Sequence, residues 1–145
     1  METGMRLGLV ISAVFAAAYA VFEVFGRPCR IFSCRRLILG LGPYNILIMI
    51  PLFIFISLVS VKAEGKRIGA PSSLLMAGSI FVFMVVLEDI FFFVVARSPI
   101  TPGIFTTQWG YVDIRVTVIP IWYFVAAGCA VLLFGLARVV EQPSV

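Results

Sequence analysis

The chain has no histidine, three cysteines and little charge, since only 12% of its 145 residues are charged and 62% are hydrophobic. Without histidine it lacks the usual general base near neutral pH and the commonest metal ligand. The low charge and a mean hydropathy of +1.14 exclude an ordinary soluble domain. A lipid bilayer is therefore the expected solvent.

The net charge of +4 comes from 11 basic and 7 acidic residues. The basic residues cluster at the ends of apolar segments, as membrane anchors do, so we expect no nucleic-acid partner. Membrane lipids are the expected partners. A hydrophobic small molecule and further subunits, in a homo-oligomer or a hetero-oligomer, are the other candidate partners.

Four long apolar runs predict an all-α fold, a polytopic membrane helix bundle with four transmembrane helices in one domain over residues 1–145. Each run is longer than the roughly 9 to 11 residues of a membrane barrel strand. We expect a multi-pass integral membrane protein of the cell membrane. The predicted spans lie near residues 7–25, 40–61, 74–95 and 118–137.

The first run also imitates a secretory signal peptide, because Arg6 precedes the apolar stretch and Ala18-Tyr19-Ala20 has the composition of a cleavage site. The apolar stretch continues past that point to Phe25. We therefore expect a retained helix rather than a cleaved leader.

Two prolines interrupt the predicted spans. Pro51 lies inside the second run, where a missing backbone donor predicts a kink that serves either packing or a hinge. Pro120 lies near the start of the fourth run. A missing N–H costs least in the first turn, so we expect Pro120 to lie within the first turn of the fourth helix.

An even number of spans places the unusual polar residues on one side of the membrane. With four spans, the first and third loops share a side, which also receives the end of the first helix and the start of the second. Trp122 and Tyr123 follow at interface depth. The predicted substrate-pocket residues are Glu23, Tyr44, Asn45, Arg97, Trp109, Asp113, Arg115, Trp122 and Tyr123.

Glu88 and Asp89 are the candidate catalytic residues. They lie in the third run, on the order of 10 Å from its end, and point about 100° apart. An ionisable group at a helix centre costs roughly 2.5 to 3.5 kcal/mol, so two need partners, water or a proton. The structural alternative is an ion pair with Arg27, Arg97 or Arg115.

Other polar residues also have two interpretations. Glu23 and Arg27, at a spacing of four, can pair along one helix instead of serving a site. The aromatic residues near the third loop, Trp109, Tyr111, Trp122 and Tyr123, form either an interfacial belt or a ligand cage.

Cys29 and Cys34 form a C-x4-C pair with no histidine nearby. Two thiolates would leave a tetrahedral zinc site half filled, so we expect no metal and no cofactor. The pair is either a disulfide or two free thiols, depending on which side the first loop faces.

The stretch Val86-Leu87-Glu88-Asp89-Ile90-Phe91-Phe92-Phe93 resembles the acidic motif of the small membrane-embedded lycopene cyclase subunits, an acidic pair on a helix followed by aromatic residues. The resemblance covers about eight residues. Val86 stands where that family usually has proline, and the chain has one copy of the motif. The resemblance implies that Glu88 and Asp89 protonate a hydrophobic substrate and stabilise the cation produced.

Three function classes follow from these residues. The first is a buried acidic pocket that handles or modifies a lipid or isoprenoid-like substrate. The second is proton- or ion-coupled transport by an oligomer, with the acid pair as the site. The third is an accessory or assembly subunit of a membrane complex, with charges that specify helix partners. The sequence leaves open whether the protein is an enzyme.

Overall fold

Four long helices dominate the computed structural model, which describes residues 2–26, 44–97, 111–113 and 118–141. Two short strands, β1 and β2, pair antiparallel ahead of the last helix. The helices are α1 (Glu2–Gly26), α2 (Ile50–Ala63), α3 (Pro71–Ala96) and α4 (Ile121–Glu141), and the strands are β1 (Tyr111–Asp113) and β2 (Val118–Pro120).

Each helical segment is long and apolar enough to cross a bilayer. Among the described residues four such spans occur, with mean hydropathies between 2.0 and 2.5. The predicted all-α bundle with four transmembrane helices is confirmed, and so is a multi-pass membrane protein. The spans are Leu7–Gly26, Asn45–Ala63, Pro71–Ala96 and Ile121–Glu141.

The start of the fourth helix was predicted wrongly. Residues 118–120 form strand β2, in which Pro120 lies opposite Tyr111, and the helix begins at Ile121. Proline disfavours helical geometry in the residue before it, which keeps Ile119 extended. In α3 a proline is instead the first helical residue. The helix begins at Pro71, three residues before the predicted start at Leu74.

A wide turn of helix precedes Pro51. Residues Asn45–Met49 form a π-helical turn that runs directly into α2, whose second residue is Pro51. A proline ring collides with the carbonyl four residues earlier in a regular α-helix, and a π turn widens the backbone at that place. The predicted distortion of the second span therefore takes the form of a π turn.

Helix α3 lies at the centre of the bundle. It packs against α1, α2 and α4, and α1 also packs against α2, whereas α4 packs mainly on α3. Small and serine residues allow the close approaches: Ala16 and Ala20 of α1 are fully buried, and Ser79 of α3 donates to the Ala130 carbonyl oxygen at 2.8 Å. The bundle is thus open on the flanks of α4.

Contacts between side chains define the two ends of the bundle. At one end Lys66, after α2, pairs with Glu141 at the end of α4, and Glu64 lies against Gly8 near the start of α1. We call this the termini end. The end of α1, the start of the second span, the end of α3 and the start of α4 lie at the other, which we call the site end.

Candidate functional site

Three acids and three tyrosines from all four spans meet near the site end. We call them the acid–tyrosine cluster: Tyr19, Glu23, Tyr44, Glu88, Asp89 and Tyr123. The sequence predicted five of its six members as site residues. It missed Tyr19, although Tyr19 precedes Glu23 by four residues and so shares its helix face.

Glu88 faces α1. It is 7% exposed, and its carboxyl group lies in hydrogen-bonding contact with the carboxyl of Glu23. Among the described residues, no donor reaches the buried Glu88 Oε1. A carboxylate only accepts hydrogen bonds, so this contact becomes one when one of the two groups carries a proton. The geometry is that of two acids with room for one proton between them.

Glu23 also connects the acids to a pair of phenols. The Tyr44 hydroxyl is hydrogen-bonded to Glu23 and contacts the Tyr19 hydroxyl. When Tyr44 donates to Glu23, the remaining bond is donated by Tyr19 to Tyr44. A continuous chain of polar hydrogens therefore runs from Tyr19 through Tyr44 and Glu23 to Glu88.

Asp89 faces the opposite flank of α3. Its Oδ2 accepts a hydrogen bond from the Tyr123 hydroxyl of α4. The two adjacent acids thus have different partners, Glu88 on α1 and Asp89 on α4, as expected for side chains about 100° apart on one helix. Trp122 packs edge-on against Tyr123, with ring centroids 4.4 Å apart, and encloses this flank.

Apolar side chains surround the cluster from the centre of the bundle. Phe53 is fully buried and meets Tyr19 edge-on at 5.1 Å between ring centroids, and Phe15 meets Phe53 similarly at 5.6 Å. Met84, one turn before Glu88, is fully buried as well. Such surroundings exclude water, which strengthens each electrostatic interaction inside.

The remaining predicted pocket residues lie away from these contacts or outside the described chain. Asn45 donates to the Met49 sulfur at 3.6 Å, Asp113 is exposed at the end of β1, and Arg97 is exposed with a left-handed φ of 50°. Trp109 and Arg115 lie outside the described residues, as do Arg27, Cys29 and Cys34.

The ion-pair alternative can be examined for Arg97. Within the described ranges, the ion pair found is Lys66 with Glu141, at the termini end, and Arg97 joins none. Glu23 pairs with acid and phenol groups of other helices. Among the described residues, the partners of these acids are therefore hydroxyl and carboxyl groups.

No family model, curated protein or solved structure matches this chain. The function must therefore be argued from the cluster itself. Across the part of the chain that the structure describes, no three His, Cys, Asp or Glu residues are arranged to hold a metal ion. What the cluster offers chemically is a movable proton next to an apolar interior, with a carboxylate left behind when the proton moves.

Proposed function

We propose that this protein resides in the cell membrane and binds a lipid or isoprenoid-like molecule, on which the acid–tyrosine cluster acts by proton transfer. The single observation that carries the proposal is the buried Glu88 carboxyl, which meets the Glu23 carboxyl and, in the described chain, no donor at Oε1. A hydrophobic substrate can approach such a group from the bilayer without crossing water.

The reaction class is protonation of a carbon–carbon double bond. A carboxylic acid of the Glu23–Glu88 pair gives its proton to one alkene carbon, and the electron pair of the double bond forms the new C–H bond. The carboxylates then face the carbocation and stabilise it. Loss of a proton from a neighbouring carbon back to the carboxylate completes an isomerisation. In a cyclisation, the electron pair of a second double bond of the same molecule first forms a C–C bond to the cationic carbon, and the new cation then loses the proton; neither route needs net oxidation or a cofactor.

Asp89 serves a different role in this scheme. The hydrogen bond from Tyr123 keeps Asp89 oriented toward α4, and in this scheme Asp89 is the fixed negative charge near the reacting pair. The resemblance around Glu88 and Asp89 to the lycopene cyclase motif supports the reaction class, since it implies acids that protonate a hydrophobic substrate and stabilise the cation.

Proton exchange with heavy water tests this function directly. Purified protein is incubated in D2O with a lipid extract of its own host membrane, and mass spectrometry follows deuterium bound to carbon. We expect deuterium in one apolar lipid species with the wild type, and at least about a 100-fold slower incorporation with Glu88→Gln, the usual lower effect of losing a general acid.

Glu141→Gln is the matched control, because Glu141 is an acid at the termini end, paired with Lys66 and outside the cluster. It should label the lipid at the wild-type rate. Equal labelling by wild type and Glu88→Gln, or no labelling of any apolar lipid, would contradict the proposed reaction.

Proton-coupled transport is the second candidate function, favoured by the chain of polar hydrogens from Tyr19 to Glu88. Such a chain can pass protons between groups. In liposomes with a trapped pH indicator, transport would give an acid-driven proton flux that Tyr44→Phe and Glu88→Gln abolish. Under that function no carbon-bound deuterium appears in the D2O experiment.

A further inference from the structure

A second site lies at the termini end, on the flank that α4 leaves open. A cavity of about 320 Å³ lies between α1, α3 and α4. Its walls are apolar and include Leu9 of α1, Ile80 and Phe83 of α3, and Val131 and Phe134 of α4. We call this cavity the α1–α4 groove. It is separate from the acid–tyrosine cluster, whose residues do not line it.

The groove is long enough for part of one lipid chain in one leaflet. Along its α3 wall, from Met76 to Phe83, there are seven residues, or on the order of 10 Å along the helix. That is about a third of the roughly 30 Å hydrocarbon core. The partly exposed walls open toward the bilayer, since Val131 is 70% exposed.

Opposite charges meet at the polar end of the groove. Glu64 lines it, and among the described residues this carboxylate forms no ion pair. Arg138 lies with its guanidinium carbon 5.1 Å from the centre of the Phe134 ring, which also lines the groove, and its charge acts on Glu64. A guanidinium, which can bind an anion, and a carboxylate, which can accept hydrogen bonds from an ammonium group, therefore lie at the same end of the apolar groove.

We propose that the α1–α4 groove binds a phospholipid with a primary ammonium headgroup, such as phosphatidylethanolamine. One acyl chain lies along Leu9, Phe83 and Val131. The phosphate faces Arg138, whose planar fork suits phosphate oxygens, and the ammonium donates hydrogen bonds to Glu64. The charges of Lys66 and Arg138 act on the partly buried Glu64 without forming an ion pair with it among the described residues, and the ammonium group supplies a direct hydrogen-bond partner.

The headgroup preference tests the charge argument. The full chain, stripped of lipid in detergent, is titrated with equal amounts of phosphatidylethanolamine and phosphatidylcholine, and bound lipid is counted by native mass spectrometry. Phosphatidylcholine has the same phosphate but no N–H to donate. We expect one phosphatidylethanolamine per chain to be preferred, and Glu64→Gln to reduce that preference by about fivefold.

A pair of neighbouring substitutions tests the location. Val131→Trp fills the groove, whereas Leu132→Trp adds the same ring at a residue that is 68% exposed and does not line it. Val131→Trp should lose the bound lipid and Leu132→Trp should keep it. Binding that is equal in both variants, or a lipid preference that Glu64→Gln leaves unchanged, would overturn the proposal. A dimer that Val131→Trp dissociates would overturn it too, because a second copy would then fill the groove.

Discussion

The buried Glu88 carboxyl contacts the carboxyl of Glu23, whereas an ion pair would have placed an arginine beside it. The sequence predicted that Glu88 and Asp89 lie too deep in the membrane to be surface charges, because both are several residues from the end of an apolar run. The identity of the partners did not follow from the sequence. Partner choice depends on how α1 and α4 are rotated against α3, and rotation is decided by side-chain packing across three helices.

The contact between the two acids gives a stability prediction with a definite sign. In Glu88→Gln, the amide N–H donates to the Glu23 carboxylate, so the contact no longer requires a proton shared between two acids. We expect the variant to gain about 1 kcal/mol in unfolding free energy, measured by titration into a denaturing detergent. Arg97→Gln, at an exposed residue outside any ion pair of the described chain, should change it by less than about 0.5 kcal/mol.

A loss of about 3 to 5 kcal/mol in Glu88→Gln would contradict this prediction. Recovery of that loss by adding Arg97→Gln would show that Glu88 and Arg97 form a structural ion pair. The pair of measurements therefore separates a chemical site from a helix-ordering charge pair.

Glu64 gives a pH prediction at the termini end. Burial raises the pKa of Glu64 above its ordinary value of 4.5, with the charges of Lys66 and Arg138 opposing the rise and Glu141 adding to it. The folded state therefore favours the protonated carboxyl. Its contribution to stability is present below the unfolded pKa and is lost as the pH rises through the folded pKa.

The measurement is the difference in unfolding free energy between wild type and Glu64→Gln in lipid-free detergent. As the pH rises from about 4.5 through the raised pKa, the wild type should lose unfolding free energy relative to Glu64→Gln. Subtracting the variant removes the titration of the acid–tyrosine cluster, which both proteins share. A difference that is flat with pH would refute the assignment.

Among the elements, the pairing of α1 with α2 depends on a glycine. A Cβ added at Gly8 would lie 2.5 Å from Glu64 Oε1 and 3.0 Å from the Ser60 carbonyl oxygen. One turn further on, the Ser12 and Ser60 hydroxyls are hydrogen-bonded at 2.9 Å. The two helices therefore approach closely where side chains are small.

We expect Gly8→Ala to be less stable than Gly128→Ala by about 1 to 3 kcal/mol, because an added methyl crowds the backbone of α2. Gly128 is the control, since a Cβ there meets nothing within 4 Å and both substitutions gain the same helix propensity. The readout is the midpoint of unfolding in a denaturing detergent. Equal midpoints would show that α1 and α2 are free to move apart.

The sequence predicted the four spans well and the irregular segments between them poorly. Hydropathy and length are summed over about 20 residues, so the spans tolerate local error. Pro120 shows where this fails: apolar residues 118–120 continue the fourth run, yet pairing with β1 keeps them extended. Pro51 predicted a kink in the second span, but the sequence did not predict that the distortion would be a π turn at Asn45–Met49.

For the molecule as a whole, α3 organises both proposed sites. Glu88 and Asp89 belong to the acid–tyrosine cluster, and Ile80 and Phe83, five to eight residues before Glu88, form a wall of the α1–α4 groove. Parity alone predicted which polar residues share an end of the bundle, because it needs only the number of spans. The groove was not predicted, since a gap between α1 and α4 reflects the absence of packing and leaves no residue signature.

The central position of α3 also bears on the order in which the chain enters the membrane during synthesis. Its two acids together cost roughly 5 to 7 kcal/mol, comparable to what its apolar side chains return at about 0.3 to 0.6 kcal/mol each, so α3 is a marginal stand-alone span. Glu23 and Tyr44 emerge from the ribosome before it, and Glu88 finds its partners already in the bilayer. Tyr123 emerges after it. Asp89 therefore gains its hydrogen bond from Tyr123 only after α4 is made. In a nascent chain halted before Ile121, α3 is present and Asp89 lacks Tyr123.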